Sequence, residues 1–418
     1  MGFVSILKER GLLQDCSDPA GVDAFQPGTP FYCGFDPTAS SLQLGNLVPM
    51  IVMMHLGRAG LTPFMIFGGA TGSIGDPSGK SSERQLLSDE ITERNLQNQM
   101  LQARAIFQRA GLEVRFFNNL DWTKGLSCID FLREIGKHLT VNYMLAKDVI
   151  KSRLDGEGIS FTEFSYMLLQ AYDFFHLHGN YGVKLQIGGS DQWGNITAGL
   201  ELIRKKAQGE AYALSFPLIT DSQGRKFGKS AGNALWLDPA LTSPYKLHQY
   251  FLNIEDASVI GYLKIFSFLA LEEIAEIEQD SKREPQARRA QSVLADTVCE
   301  LVHGKAATEE AKRCGALLFG GELKDLPESA LLDIFSEAPS SELLQSDFQK
   351  ATALDLFERS GLVKSRGDGK KLIASGGAYL NNQRVKDPAD PAKQYSPDSA
   401  SVLILRSGKK NYHLLRIT

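Results

Sequence analysis

The sequence predicts an α/β protein: a parallel-sheet domain, then an all-helical stretch, then a small α+β tail. Three observations predict it. Short apolar runs at Phe31–Phe35, Thr62–Phe67 and Glu113–Phe117 alternate with helix-length patterns. Glycine-rich turns follow apolar runs directly, which places a ligand at the C-terminal ends of parallel strands. Beyond residue 235 the texture turns helical and charged, and the chain closes on two further strand-like runs.

Taken in order, Phe31-Tyr-Cys-Gly-Phe35 leads through Asp36-Pro37-Thr38 to a helix expected near Leu47, with Pro49 in its first turn and Gly60 at its stop. Thr62–Phe67 is the second strand, and Gly68-Gly-Ala-Thr-Gly72-Ser-Ile-Gly75-Asp76 its turn. Leu96, Met100, Ala103, Phe107 and Ala110 share one face of a long helix that Gly111 ends, and Glu113–Phe117 is the third strand. From Pro244 to about Phe319 the pattern is helical, and 320–349 reads as a polar connector. The tail has a helix at Leu354–Arg359 and strands at Ser401–Arg406 and Tyr412–Arg416 around Gly408-Lys409-Lys410-Asn411.

The chain has 418 residues, 43% hydrophobic and 22% charged, which excludes collagen-like, mucin-like and disordered classes. Its net charge of −4 argues at first against a nucleic-acid partner. The distribution reverses that: residues 351–418 carry twelve Lys/Arg against six Asp/Glu, a net of +6, on a body of −10. Five scattered cysteines, with no Cys-x-x-Cys and no zinc-ligand spacing, point to neither a disulfide framework nor a zinc site. His176 and His178 form an isolated pair that faces opposite ways on a helix or the same way on a strand, with no third ligand beside it. The longest apolar run, near Leu47–Met54, is too short to span a bilayer, and Lys8, Glu9 and Arg10 stand where a signal peptide is apolar. A cytoplasmic chain without a membrane partner is expected.

Two clusters suit phosphate chemistry. Gly75-Asp-Pro-Ser-Gly79-Lys80-Ser81 has three residues between its glycines where a Walker A loop has four, so its glycines serve close backbone approach, with Lys80 and Arg84 supplying charge. Lys226-Phe-Gly-Lys229-Ser230 suits a loop that closes over phosphates. Its counterpart is the turn after the first strand, Pro37-Thr-Ala-Ser-Ser-Leu-Gln43-Leu44-Gly45-Asn46. Together these resemble the two signatures of class I aminoacyl-tRNA synthetases. Tyr32–Thr38, Ile74–Lys80, Gly158–Tyr166, Gln170–Asp173 and Leu185–Thr197 narrow the resemblance to bacterial-type tyrosyl-tRNA synthetases, over nearly the whole chain.

The resemblance implies a Rossmann-like catalytic domain over 1–232, a helical anticodon-side domain over 233–325, a linker over 326–350 and an S-four-like RNA-binding domain over 351–418. It implies that Tyr32 and Asp173 receive the hydroxyl of substrate tyrosine, and that Asp76, Tyr166 and Gln170 hold its ammonium. Gly34, Asp36, Gly189, Asp191 and Gln192 then line the adenylate. Thr38, Gln43, Asn46, Lys80, Arg84, Lys226 and Lys229 serve the phosphates, and Lys364, Arg366, Lys370, Lys371, Lys409 and Lys410 meet RNA. Implied partners are L-tyrosine, ATP with its accompanying Mg2+, tRNA(Tyr) and a second copy of the chain, with Phe161 and Phe164 as interface or core candidates. No tightly bound metal or organic cofactor is implied.

One departure stands out. The family's first signature carries histidine at both ends, and this chain has Gln43 and Asn46. Each carboxamide offers N–H donors where a neutral histidine offers one. Adenylate formation is therefore expected to persist, with less dependence on pH near 6.5 than a histidine would give. The alternative is a weakened or inactive homologue that retains RNA binding.

Overall fold

The computed structural model describes residues 2–79, 87–156, 158–220, 224, 227–230, 233–317, 331–332, 335, 338–395, 401–408 and 411–418, without the side chains of 229, 230, 233 and 317. These fall into two compact units, Met1–Thr242 with Phe251–Val302, and Ser243–Tyr250 with His303–Thr418. No helix among the described residues is long and apolar enough to cross a membrane.

The first unit is built on a six-stranded sheet ordered β1-β6-β5-β2-β3-β4, from β1 (Asp15–Cys16), β2 (Pro30–Phe35), β3 (Thr62–Phe67), β4 (Arg115–Asn118), β5 (Leu185–Gly189) and β6 (Tyr212–Phe216). All pairs are parallel except that of the short edge strand β1 with β6. Both faces of β2, β3, β5 and β6 are largely buried, so their sequences run apolar almost without alternation, while the edge strand β4 stays half-exposed. β2 and β3 lie where the sequence predicts them. β4 sits two residues later at its start, because its register is set by pairing Phe64 with Arg115 and Phe67 with Asn118. From β2 the chain builds outward one way through β3 and β4, then returns to add β5 and β6 on the other side. The crevice at the C-terminal ends of β2 and β5 is therefore a topological switch point, the place where such sheets bind ligands.

The helix after β2 runs Leu44–Arg58, three residues ahead of the expected start. Gln43 is extended and its N–H donates to Asn46 Oδ1 at 2.8 Å, which begins the helix early. Pro49 is thus interior, and having no N–H it leaves the Gly45 carbonyl without that helical donor. Part of the stretch expected to be a separate helical domain packs into this same unit. Arg10 donates to the carbonyls of Lys264, Ser267 and Leu269 at the end of the Asp256–Phe266 helix. Phe227 lays its ring 5.0 Å from that of Phe266 and 5.3 Å from that of Tyr262.

The second unit carries a five-stranded sheet ordered β11-β10-β12-β13-β9, after the short hairpin of β7 (Lys229–Ser230) and β8 (Asn233–Ala234) in the first unit. Its strands are β9 (Ser340–Leu343), β10 (Ala378–Leu380), β11 (Gln383–Arg384), β12 (Val402–Ser407) and β13 (Asn411–Ile417). Leu403, Leu405 and Leu415 pack against the helices Ala353–Arg359 and Arg366–Ala374, while Val402, Ile404 and Leu414 pack with Phe335 on the opposite face. Residues 340–343, read from sequence as connector, pair in parallel with β13. Ser-Ser-Glu-Leu has little strand propensity of its own, and the open edge of β13 decides its conformation.

Candidate active site

A cavity of about 410 Å³ opens at the switch point. Each of the five parallel strands, β2 to β6, delivers residues to it from just past its C-terminal end or from its last residues. Asp36 and Thr38 follow β2, Gly68 and Thr71 follow β3, Asn119 follows β4, Asp191 and Gln192 follow β5, and Pro217 follows β6. The Phe161–Tyr181 helix contributes Tyr166, Gln170 and Asp173 along one face, at spacings of four and three residues.

The deepest part is polar and buried. Asp173, 5% exposed, accepts from Asn119 Nδ2 at 2.9 Å and from Trp122 Nε1 at 2.8 Å. Asn119 Nδ2 also donates to Thr71 Oγ1 (3.0 Å), Thr71 donates to Asp36 Oδ1 (2.8 Å), and Tyr166 OH donates to Asp36 Oδ2 (2.9 Å). Six side chains from four separate segments thus form one chain of hydrogen bonds. Gly68 is required by it: a Cβ there would lie 2.0 Å from Asp36 Oδ1 and 2.2 Å from Thr71 Oγ1. Burial outweighs the two donated hydrogen bonds and pushes the Asp173 carboxyl up to about 7. Burial also raises the Tyr32 phenol, with the Asp173 charge adding to it.

Two buried polar atoms in this pocket have no partner among the described residues: the Tyr32 hydroxyl and Gln186 Oε1. The residues stand opposite each other in register on β2 and β5. Buried donors and acceptors are nearly always satisfied, so an orphaned pair beside a carboxylate marks a site for a polar ligand group.

Nearer the cavity mouth, Asp76 accepts from Gln192 Nε2 (2.6 Å) and from the Ser78 N–H (2.9 Å), and Gln192 Oε1 accepts from Asn195 (3.2 Å). Gly34 and Thr38 are exposed on the wall, and no atom crowds the place a side chain on Gly34 would take. The Lys226–Ser230 cluster and its counterpart after β2 meet here through Gly228 and Leu44. Leu235 donates to the Gly228 carbonyl, and Leu44 donates to the Leu235 carbonyl, tying the second cluster to the start of the Leu44–Arg58 helix. Gly228 has φ of 85°, and a Cβ there would be 3.2 Å from the Gly45 nitrogen, so both its conformation and its contact call for glycine.

Of the expected site residues, Tyr32, Gly34, Asp36, Thr38, Asn46, Asp76, Tyr166, Gln170, Asp173, Gly189, Asp191 and Gln192 all line the one cavity. Gln43 does not: it is exposed and caps the helix through its backbone N–H. Lys80, Arg84, Lys226, Lys409 and Lys410 lie outside the described residues, as does the side chain of Lys229. Sequence reasoning missed Thr71, Asn119, Trp122 and Gln186, although Thr71 and Gln186 lie inside quoted motifs.

In the tail, Lys364, Lys370 and Lys371 are exposed, whereas Arg366 pairs with Asp355 (2.6 Å) and Glu358 (3.2 Å). In the first unit, Arg204 and Lys205 pair with Glu201, and Lys206 with Glu134, each cation 2.7–2.9 Å from its carboxylate.

The family model of class I tRNA synthetases (W and Y) matches residues 27–319, and that of the tyrosine–tRNA ligase SYY-like C-terminal domain matches 331–415. A switch-point cavity walled by two signature clusters and followed by such a tail defines a class I aminoacyl-tRNA synthetase. Within that class the chain belongs to the tyrosyl-tRNA synthetase family of the bacterial type. It is 45% identical to the tyrosine–tRNA ligase of Roseiflexus castenholzii over 98% of each chain. It is 43% identical to that of Opitutus terrae over 100% of each. A solved structure of the C-terminally truncated mitochondrial tyrosyl-tRNA synthetase of Aspergillus nidulans superposes with a TM-score of 0.70 at 30% identity, covering 76% of this chain and 94% of that one.

Proposed function

We propose that this chain activates L-tyrosine with ATP and transfers the tyrosyl group to the 3′ end of tRNA(Tyr). One observation carries the specificity: the unpartnered Tyr32 hydroxyl and the Asp173 carboxylate share one buried pocket. A phenol hydroxyl donates to Asp173 and accepts from Tyr32, whereas phenylalanine leaves the buried Tyr32 hydroxyl unpaired and gives Asp173 no donor. Asp76, Tyr166 and Gln170 receive the substrate ammonium. The adenylate lies along Gly34, Asp36, Gly189, Asp191 and Gln192.

The tyrosine carboxylate, already ionised at neutral pH, attacks the ATP α-phosphorus. A carboxylate O–P bond forms, the bond from the α-phosphorus to the bridging oxygen breaks, and pyrophosphate leaves with the electron pair. No general base is needed. Catalysis comes from positioning and from donors on the phosphates: Thr38 and Asn46 on the wall, with Lys80, Arg84, Lys226 and Lys229. Mg2+ enters with ATP as part of the substrate. The ribose hydroxyl at the 3′ end of the tRNA then displaces AMP from the tyrosyl carbonyl.

Asn46 supports an active enzyme in place of the usual histidine. Its Oδ1 is taken by the Gln43 N–H, so what its carboxamide has left to offer is the Nδ2 donor. Residues 1–232 carry the chemistry, 233–325 the anticodon side, and 351–418, reached through 326–350, bind RNA through Lys364, Arg366, Lys370, Lys371, Lys409 and Lys410. The enzyme works in the cytoplasm as a homodimer, for which Phe161, 74% exposed, is an interface residue; Phe164 packs into the core beside Met167 and Leu168.

Tyrosine-dependent exchange of pyrophosphate into ATP, run beside tRNA charging, tests the reading. Exchange and charging are expected, and adenylate formation at saturating tyrosine depends less on pH near 6.5 than a histidine would make it. RNA binding without exchange would instead establish the inactive homologue.

A further inference from the structure

His176 has no part in the chemistry above, and in the sequence it is one half of an unexplained histidine pair. On the Phe161–Tyr181 helix the two histidines diverge. His178 Nδ1 lies 2.9 Å from the Val183 carbonyl oxygen, where the chain leaves the helix. His176 stacks on the indole of Trp122, with ring centroids 4.6 Å apart and planes 14° from parallel.

The stack matters because of what Trp122 does. Its Nε1–H donates to Asp173 Oδ1, and Asp173 stands one turn before His176 on the same helix. A single helical turn therefore grips the indole twice, by its N–H and by its face. Trp122 belongs to the Leu120–Thr123 helix, one turn long and unable to hold its shape by its own hydrogen bonds. At the front of that turn Asn119 is fixed independently, its Oδ1 accepting from the Ala70 N–H and its own N–H donating to the Phe67 carbonyl. Trp122 has the Asp173 bond, packing against the buried cluster of Tyr32, Phe64 and Phe174, and its ring neighbours; among the described residues Phe117 is tilted by 57° at 6.4 Å and His176 alone is stacked. Tyr172 and Tyr181 flank His176 at 6.1 and 6.2 Å, and the Asn180 amide nitrogen lies 3.4 Å from its Nδ1.

We infer that His176 is a positioning residue for the hydroxyl end of the tyrosine pocket: its ring holds the Trp122 N–H in line with Asp173 and so sharpens the choice of tyrosine over phenylalanine. The inference rests on Asp173 receiving the substrate hydroxyl, as proposed above. His176 touches no substrate. It acts through Trp122, and what counts is its flat aromatic face.

The test is tyrosine and phenylalanine binding by calorimetry, with pyrophosphate exchange alongside, on the full chain and on His176→Ala and His176→Phe. Both variants are also placed in a Trp122→Phe background. His176→Ala is expected to weaken tyrosine binding about two- to tenfold, the worth of one aromatic contact. It narrows the tyrosine-to-phenylalanine ratio and leaves kcat and the KM for ATP unchanged. His176→Phe keeps the stack and restores the ratio. In the Trp122→Phe background, where there is no N–H to aim, His176→Ala produces no further loss. The inference is overturned by a His176→Ala protein that matches the parent, by a loss that His176→Phe does not repair, or by an equal loss without the Trp122 N–H. A parent chain that binds no tyrosine fails earlier, and overturns the underlying reading with it.

Discussion

The two ends of the cavity are built differently. At the end proposed for the tyrosine hydroxyl, side chains carry the site: Asp173, Asn119 and Thr71 interlock, and the same chain of hydrogen bonds runs on through Asp36 to Tyr166. At the nucleotide end, exposed Gly34 and Thr38 and the start of the Leu44–Arg58 helix form the wall. The first end can be rigid because its ligand group is small and always the same. The second must let a nucleotide in and pyrophosphate out, so it has open backbone and short side chains. Changes at the first end should therefore act through tyrosine affinity, and changes at the second through the rate of adenylate formation.

The largest effect belongs to Asp173→Ala. It removes the carboxyl acceptor, leaves the Trp122 N–H without that partner, and leaves Asn119 Nδ2 with its Thr71 bond only. Tyrosine kcat/KM should fall by about 10–10² through KM, as expected for a buried hydrogen bond to a charged group. A fall carried by kcat would break the comparison. The same carboxyl gives a pH signature. Its folded pKa is raised to about 7, so the folded state holds a proton that the unfolded state has released. The stabilisation is present at low pH and is lost as pH rises through the folded pKa. Between about pH 5 and 7 the parent should lose about 2 kcal/mol of stability relative to Asp173→Asn, which has nothing to titrate there. All three tryptophans, Trp122, Trp193 and Trp236, lie in the first unit, so urea unfolding followed by their fluorescence reads this change. Equal pH slopes would mean that the carboxyl is not perturbed.

At the other end, Asn46→Ala should lower single-turnover adenylate formation about ten- to a hundredfold, with the tyrosine KM unchanged. A change in tyrosine KM instead would show that the two ends are coupled. How far each end was legible in the sequence follows from the same difference. The nucleotide end is built from runs contiguous in the chain, a strand, a glycine turn and a helix start, and local pattern reveals those. The hydroxyl end converges from segments that are far apart. Asn119 and Trp122 are 54 and 51 residues from Asp173, and nothing near them in sequence announces a carboxylate partner. Gln186 shows only as one polar residue in an apolar strand, a signal whose meaning depends on Tyr32 standing opposite. In the tail, β9 was illegible because a neighbouring edge, and not its own residues, makes it a strand.

Gln43→Ala is expected to do least, and for that reason it is the finest probe of the comparison. Gln43 and Asn46 bracket the same short signature, and sequence alone treats them as equals. The structure does not. Asn46 lines the cavity, while Gln43 is exposed, and its contribution to the helix start is its backbone N–H, which alanine retains. Adenylate formation in Gln43→Ala should stay within about threefold of the parent, and stability within about 0.5 kcal/mol, as for a surface substitution. A loss as large as that of Asn46→Ala would mean that the Gln43 amide swings into the cavity once ATP is bound. The nucleotide end would then owe its chemistry to a side chain that closes over the substrate, and the contrast with the preformed hydroxyl end would widen.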